Sequence, residues 1–368
     1  MLVLKSSKEA LLKPLQAVAG VVERKHTLPI LSNVLLEVMH GRVAFIATDL
    51  ELQISTWIDN PEAADAAFTV SARKLLDISR SLLDIENISL SLDNDHLKVV
   101  SGNSKFNLQT LPARDFPILK LEESEGVSFS LPQGMIKQLI SRVQYAMAVQ
   151  DIRYYLNGML FSIQGKRLTV AATDGHRLAV DCTDMENEFD QGFDVILPRK
   201  TVLELAKLLS DNNEPLNIQL NQSQVVFRRP EFELRSKVVD GKFPDWQRVV
   251  PVGHDKKFAI QRTRFSQSLN RAAILTNDKY RGVRIALSSG ILRVTCSNNE
   301  QEEALEELEI DYIGDPLDIG FNIQYLQDVL NNINVEAVVC SFGDPTSSLL
   351  ITVPGQEHFR YVVMPMRI

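Results

Sequence analysis

The sequence predicts an α+β fold made of three similar domains, each with two helices packed on antiparallel strands. Three recurring pieces predict it. The first is a strand hairpin. It runs from Leu31 to the Ala47-Thr-Asp turn, then from Leu156 to Ala172-Thr-Asp, then from Arg281 to Cys296-Ser-Asn. Asp49, Asp174 and Asn298 follow one another at intervals of 125 and 124, and Asn33–Asn157 and Gly158–Gly282 at 124, a near-constant spacing that marks a repeat. The second piece is a strand that runs into a helix, at Phe68–Ile78, Val195–Leu205 and Ile319–Leu330. Ser71, Pro198 and Asn322 stand where extended spacing gives way to helical spacing, as residues at a helix start do. The third is an amphipathic helix opening each copy, at Lys8–Val22, Gln133–Met147 and Gln261–Leu275, with apolar residues three and four apart.

The remaining elements follow from alternation. Leu90–Asp93 with Leu97–Val100, and Leu216–Leu220 with Val225–Arg228, alternate apolar and polar residues around turn residues, as half-buried antiparallel strands do. Phe116-Pro117 and Phe243-Pro244, 127 apart, close the first two copies, and a Val-Met-Pro run closes the third. The expected domains are residues 1–125, 126–252 and 253–368.

Length and composition bound the function. A chain of 368 residues, 45% hydrophobic and 23% charged, buries a sizeable core and suits two to three domains. No run approaches the roughly 20 apolar residues that span a bilayer, and the start lacks the apolar segment of a signal peptide. A soluble cytoplasmic protein is expected. Cys182, Cys296 and Cys340 are far apart and form no CxxC pair, so reduced, buried thiols are expected rather than disulfides or zinc. The six histidines show no ligand spacing, and no cofactor is expected.

The net charge of −8 argues against nucleic acid until its distribution is counted. Six expected helices, at 8–25, 72–83, 133–148, 199–209, 260–275 and 322–333, hold 15 bases and five acids, a net +10, which leaves −18 elsewhere. Two readings fit. The helices line a surface that attracts phosphate without reading bases, or they carry solvated Lys and Arg on exposed faces. The last helix, with Asp328 and no base, runs against the first.

Two constellations imitate catalytic sites. Asp174 and His176 could orient an imidazole, but Asp-Gly marks a tight turn and the equivalent positions are Asp49-Leu50 and Asn298-Asn299. Ser71-Ala-Arg-Lys74 and Ser210-Asp-Asn212 match two elements of serine β-lactamases, yet Lys200-Thr201 is followed by Val202, so the third element is missing. No Walker A, GxGxxG, HExxH or GxSxG motif occurs. A hydrolase and a protein-binding repeat scaffold are the rival functions at this point.

Six motifs in order along the chain resemble the beta sliding clamp family of bacterial DNA polymerase III. They are Thr27–Leu31, Gln150–Phe161, Ala172–Val180, Val239–Asp245, Arg271–Leu275 and Tyr361–Arg367. The resemblance implies the DNA clamp fold and a non-catalytic homodimer whose six domains close a ring around double-stranded DNA. It also implies loading by an ATP-driven clamp loader and tethering of the polymerase. The partners so implied are the polymerase alpha subunit, the clamp loader delta subunit and other polymerases and repair proteins that carry clamp-binding peptides, with no membrane.

Carried over motif by motif, the resemblance implies a peptide pocket. Its first part is Arg153 and Leu156, then Thr173, Gly175, His176, Arg177 and Leu178. Pro244, Arg248 and Val249 follow, then Asn322, Tyr325 and Ser348. The C-terminal run Val362, Val363, Met364, Pro365, Met366 and Arg367 completes it. Leu, Val and Met would form an adaptable apolar cleft with polar groups at its rim. Trp246 takes a place where some relatives have Tyr. DNA contact is implied for Lys25, Arg73, Gln150, Tyr154 and Lys200. A dimer seam is implied between Phe106 and Leu108 and Ile274 and Leu275, flanked by Lys74, Glu302 and Glu303. The acidic run Glu300–Glu309 fits either that seam or a solvated strand edge.

Overall fold

The computed structural model describes residues 1–23, 28–61, 64–83, 87–121, 125–277 and 281–367. They form two compact units, Met1–Met135 with Leu203–Val238, and Ile136–Val202 with Val239–Ile368.

Among the described residues there are six α-helices: α1 (Lys8–Ala19), α2 (Ala72–Ser81), α3 (Gln133–Val143), α4 (Arg199–Leu208), α5 (Arg262–Ala272) and α6 (Ile323–Asn332). Each is shorter than its periodicity suggests. After α3 and α5 the chain tightens into 3-10 turns at Gln144–Ala146 and Ala273–Leu275, which carry the apolar spacing onward without α-helical bonds. The predicted starts at Ser71 and Asn322 are caps. Ser71 Oγ accepts from the Lys74 N–H at 3.4 Å and Asn322 Oδ1 from the Gln324 N–H at 2.9 Å.

The first unit holds one twelve-stranded sheet, from Leu2–Ser6 at one edge to Gly126–Pro132 at the other. In it Leu52–Asp59 of the first copy pairs antiparallel with Phe232–Lys237 of the second, Leu52 opposite Ser236. The Lys237 N–H extends the pairing by donating to Glu51 O at 2.8 Å. Leu11, Leu15, Leu36, Phe45 and Phe227 are at most 1% exposed at its core.

The second unit repeats this joint. In its six-stranded sheet Arg177–Pro198 pairs with Gln356–Val363, Arg177 opposite Val363, and the Met364 N–H donates to His176 O at 2.9 Å. A separate four-stranded sheet runs Glu303–Glu309, Ile291–Ser297, Gly282–Ser288, Leu317–Asn322.

The pairing registers align the copies residue by residue. Asn33 lies opposite Ser71, Gly158 opposite Pro198 and Gly282 opposite Asn322. Asn33 therefore corresponds to Gly158, and the sequence match of Asn33 with Asn157 is one residue out. The turn entering each joint is built alike. Thr48 Oγ1 donates to Leu52 O and accepts from the Leu50 N–H, while Asp49 Oδ1 accepts from the N–H groups of Glu51 and Leu52. Thr173, Asp174, Gly175, His176 and Arg177 make the same four bonds. Asn298 Oδ1 accepts from the Glu300 and Glu302 N–H groups in the third copy.

Cys296 and Cys340 are buried, which pushes their thiols up to about 11 and about 12 and keeps them protonated. Cys182 is only half-buried, against the expectation for all three.

Candidate functional site

A small apolar cleft of about 180 Å³ opens at the joint of the second unit. Its walls come from the loop before the first strand (Arg153, Tyr155, Leu156), the turn (Thr173, Gly175, Arg177, Leu178), the Phe-Pro segment (Pro244, Val249) and the last strand (Val362, Met364). Leu178 and Val362 face each other in the ladder and are at most 1% exposed. Beneath them lie Leu160, Ala171, Ile196 and Phe243, with Trp246, Val249 and Leu350 packed alongside.

Ten of the cleft residues are among those the resemblance implies. Tyr155 is the exception, although it sits between Tyr154 and Leu156 in a motif already singled out. The other implied residues lie elsewhere. Val363 is fully buried on the opposite face of its strand. Asn322 caps α6, Ser348 is half-buried, and Arg248 is tied to Asp245 at 2.8 Å. His176 stacks on Tyr325, which in turn lies 4.5 Å below the Arg177 guanidinium. Pro365 joins the cleft wall to Met366 and Arg367, which line a different groove of mixed polar and apolar character.

Two cations fix the cleft. Arg177, with its side chain 10% exposed, donates to Asp174 Oδ2 at 3.1 Å, to Asp328 and to Tyr145 O at 2.6 Å. A buried cation needs such saturation, because an unpaired one costs several kcal/mol. Nearby, burial pushes the phenols of Tyr145 and Tyr361 well up, so both stay neutral. Arg153 grips Asp151 through its own backbone N–H at 2.8 Å, Nε at 3.0 Å and Nη2 at 2.9 Å. Those bonds lower the Asp151 carboxyl to about 2. Asn157 closes the loop by bonding both backbone groups of Asp151. Gly175 has φ +89°, and a Cβ there would meet the Arg153 guanidinium at 3.1 Å.

Neither imitation catalytic site has catalytic geometry. The Asp174 carboxylate accepts backbone N–H groups and Arg177 Nε, while the His176 ring stacks on Tyr325. Ser71 Oγ is a helix cap. Among the described residues no cluster of three or more His, Cys, Asp or Glu could hold a metal ion, and no helix is long and apolar enough to cross a membrane.

The helix charges divide. Arg142 is buried against Asp181 at 3.2 Å, Arg262 donates to Val335 O and Leu330 O, Arg271 pairs with Glu306, and Arg199 donates to Met147 O. All four are engaged with the fold, and Arg142, Arg199 and Arg262 are buried or half-buried while Arg271 stays exposed, so the count of 15 bases overstates what faces solvent. Lys13, Arg73, Lys74, Arg80 and Arg264 are exposed. Of the residues implied for DNA, Arg73, Gln150 and Tyr154 are exposed, Lys200 is half-buried, and Lys25 lies outside the described residues.

A thrice-repeated two-helix domain, joined edge to edge by strands and carrying an apolar cleft without catalytic geometry, defines a non-catalytic binding protein of the clamp class. The chain belongs to the DNA polymerase III beta subunit family. Its residues 2–120, 130–245 and 247–367 match the N-terminal, central and C-terminal domains of that subunit. It is 46% identical over 363 residues to the beta sliding clamp of Pseudomonas aeruginosa and 44% identical over 362 to that of Escherichia coli K12, covering 98% of each chain in both cases. Among solved structures, the P. aeruginosa DNA polymerase sliding clamp with ligand superposes with a TM-score of 0.93 at 45% identity over the whole of both chains. The Caulobacter crescentus beta sliding clamp superposes at 0.93 and 35%, covering 100% of this chain and 99% of that one. The function is the family's: a sliding clamp, the non-catalytic processivity subunit that works on DNA with its polymerase.

Proposed function

We propose that the cleft captures the apolar residues of short partner peptides, and that two chains close head to tail into a ring around DNA. The observation that carries the first part is the cleft itself, an apolar recess whose rim groups are already saturated, so that burial of an apolar anchor drives binding. The polymerase alpha subunit, the clamp loader delta subunit and other polymerases and repair proteins would bring such peptides. Cytoplasmic placement and domains at 1–125, 126–252 and 253–368 belong to the same proposal. Removing Met364–Ile368 is expected to abolish polymerase stimulation and leave the dimer intact; undiminished stimulation counts against the cleft.

The ring rests on a third joint. Ser297 pairs with Glu303 as Thr48 does with Gln53 and Thr173 with Leu178, so Glu302 corresponds to Leu52 and Arg177. In the other two copies this strand takes the last strand of the following copy. Here the strand in that role would be Ser104–Pro112 of a second chain. Leu111 pairs with Thr69 as Val239 bridges Ile196, so Leu108 corresponds to Ser236. The register that follows sets Glu302 against Leu108, Ala304 against Phe106 and Leu305 against Lys105. Lys105 would then lie diagonally between Glu303 and Glu307, within reach of attraction. Ile274, 77% exposed, and Leu275 would be covered at the same seam, near Lys74.

Head-to-tail contacts close a ring when the rotation permits. Arg73, Gln150, Tyr154, Lys200 and Lys25 would then touch phosphate without reading sequence, as sliding demands. A pair of cysteines at Leu305 and Lys105 is expected to cross-link two chains, while replacing Ile274 and Leu275 by Ala and Lys is expected to give monomers in sedimentation. Loading by clamp loader and ATP onto nicked circular DNA tests the whole proposal: retention lost on linearisation marks a ring, and equal retention on both forms excludes one.

A further inference from the structure

The sulfur of the chain falls into classes by exposure. Met147, Met159 and Met185 are at most 5% exposed, while Met1, Met39, Met135 and Met364 lie between 37% and 54%. Of these four, Met364 alone lines the apolar cleft. The thiols of Cys182, Cys296 and Cys340 are poor competitors for an oxidant, because burial raises each of them and the thiolate is the form that reacts. A thioether needs no deprotonation. An oxidant that reaches the chain therefore meets exposed methionine first.

The strand register holds Met364 where its polarity matters. Its N–H donates to His176 O at 2.9 Å, which continues the pairing of Leu178 with Val362 and of Arg177 with Val363. Residues two apart in an extended run share a face, so the Met364 side chain extends the wall that Val362 begins. In the first joint Lys237 holds the matching place, one residue after Ser236 as Met364 is one after Val363. Its N–H donates to Glu51 O, and its ammonium pairs with Glu51 at 2.9 Å. One position is thus charged in the first joint and a thioether in the second, where the cleft opens.

We propose that Met364 is a site of reversible oxidation by hydroperoxides, and that its sulfoxide weakens the cleft for apolar anchors. This rests on the peptide-capture reading of the cleft. The sulfur lone pair attacks one peroxide oxygen and the O–O bond breaks. Sulfur is oxidised by two electrons to the sulfoxide, and hydrogen peroxide is reduced to water. Two thiols of a sulfoxide reductase return the thioether, with release of water and formation of a disulfide. The S=O group needs hydrogen bonds that an apolar anchor cannot give, so a peptide seated against it loses affinity by about tenfold.

The test exposes the full chain to graded hydrogen peroxide and maps sulfoxides by mass spectrometry of its proteolytic fragments. Affinity is read in parallel by anisotropy, with a short fluorescein-labelled peptide of Ser-Ala repeats around one Leu-Leu pair. Met364, Met39 and Met135 are expected to oxidise well before Met147, Met159 and Met185. Affinity is expected to fall by the stated factor in step with the Met364 sulfoxide and to recover on treatment with a sulfoxide reductase and dithiothreitol. The variant with Met39→Leu and Met135→Leu is expected to show the same fall. Met364→Leu, whatever its own starting affinity, is expected to lose none on the same exposure. Complete Met364 oxidation without loss of affinity, an equal loss in Met364→Leu, or oxidation of Met364 no faster than of Met159 overturns the site while the cleft stands. No binding of the peptide before oxidation overturns the cleft reading and the site with it.

Discussion

The two joints within the chain have the same turn, the same strand pairing and the same bridging N–H, yet the first is sealed and the second is open. The difference lies at two positions facing each other in the ladder. In the first joint they are Gln53 and Arg235, and in the second Leu178 and Val362. Gln53 Oε1 accepts from the Leu119 N–H at 2.8 Å and Arg235 donates to Leu119 O at 3.0 Å, while Gln224 donates to Lys120 O at 3.0 Å. The segment after Phe116 is thereby tied down by its backbone, and a Lys237–Glu51 ion pair at 2.9 Å lies over the joint. Leu178 and Val362 cannot bind backbone groups. The corresponding segment after Phe243 packs Trp246, Val249 and Val250 against the apolar cluster and borders an apolar recess. Two side-chain polarities on a common frame thus decide between a sealed seam and an open apolar cleft.

Arg177→Ala is expected to have the largest effect, because it strands Asp174 and Asp328 where both were paired. A loss of about 3–5 kcal/mol is expected in chemical denaturation. Retention of wild-type stability would show that the guanidinium does not hold the second joint. Next, Gln53→Leu with Arg235→Val gives the first joint the residues of the second. The buried N–H and C=O of Leu119 lose their partners, at a cost of about 1–3 kcal/mol for each unsatisfied group. Hydrogen exchange at Leu119 should accelerate, and unchanged exchange would remove the explanation offered for the seal.

Glycine separates the joints as well. Leu50 has φ +78° where the second copy has Gly175 at +89°. A left-handed residue with a side chain costs roughly 1–2 kcal/mol, so Gly175→Leu is expected to destabilise by about that amount and to crowd Arg153. Leu50→Gly relieves the same strain against a higher unfolded-state entropy, and a net gain below about 1 kcal/mol is expected in thermal melts. A loss would mean that the Leu50 side chain earns its place by packing.

The smallest effect is that of pH on the Arg153 loop. Asp151 titrates at about 2 in the fold against 3.8 unperturbed. A depressed carboxyl contributes stability that is complete above the unperturbed value and is lost as pH falls from about 3.8 through about 2. The Arg153 side-chain resonances should therefore stay constant down to pH 5 and shift only below 4. A shift near pH 6 would contradict the Asp151 bond.

The repeat and the element types were legible because the hairpins, strand-to-helix units and helices carry their own periodicity. The cap at Ser71 was equally local. What sequence could not reveal depends on pairing between distant segments. Nothing near Gln53 announces that it holds Leu119, and nothing near Arg142 announces Asp181, 39 residues away, so helix bases that look solvated are partly buried. The cleft was legible only through resemblance. Asp151 and Tyr155 stand beside implied residues without being among them, and the alternation of its strand turns Val363, which is among them, inward.

Calorimetric titration of the chain with a short peptide that carries an apolar anchor tests the difference between the joints most directly. The structure predicts one peptide per chain, binding weakened at least tenfold by Gly175→Leu and unchanged by Leu50→Gly. Two peptides per chain, or binding that survives Gly175→Leu undiminished, would contradict the assignment of the second joint as the receptor.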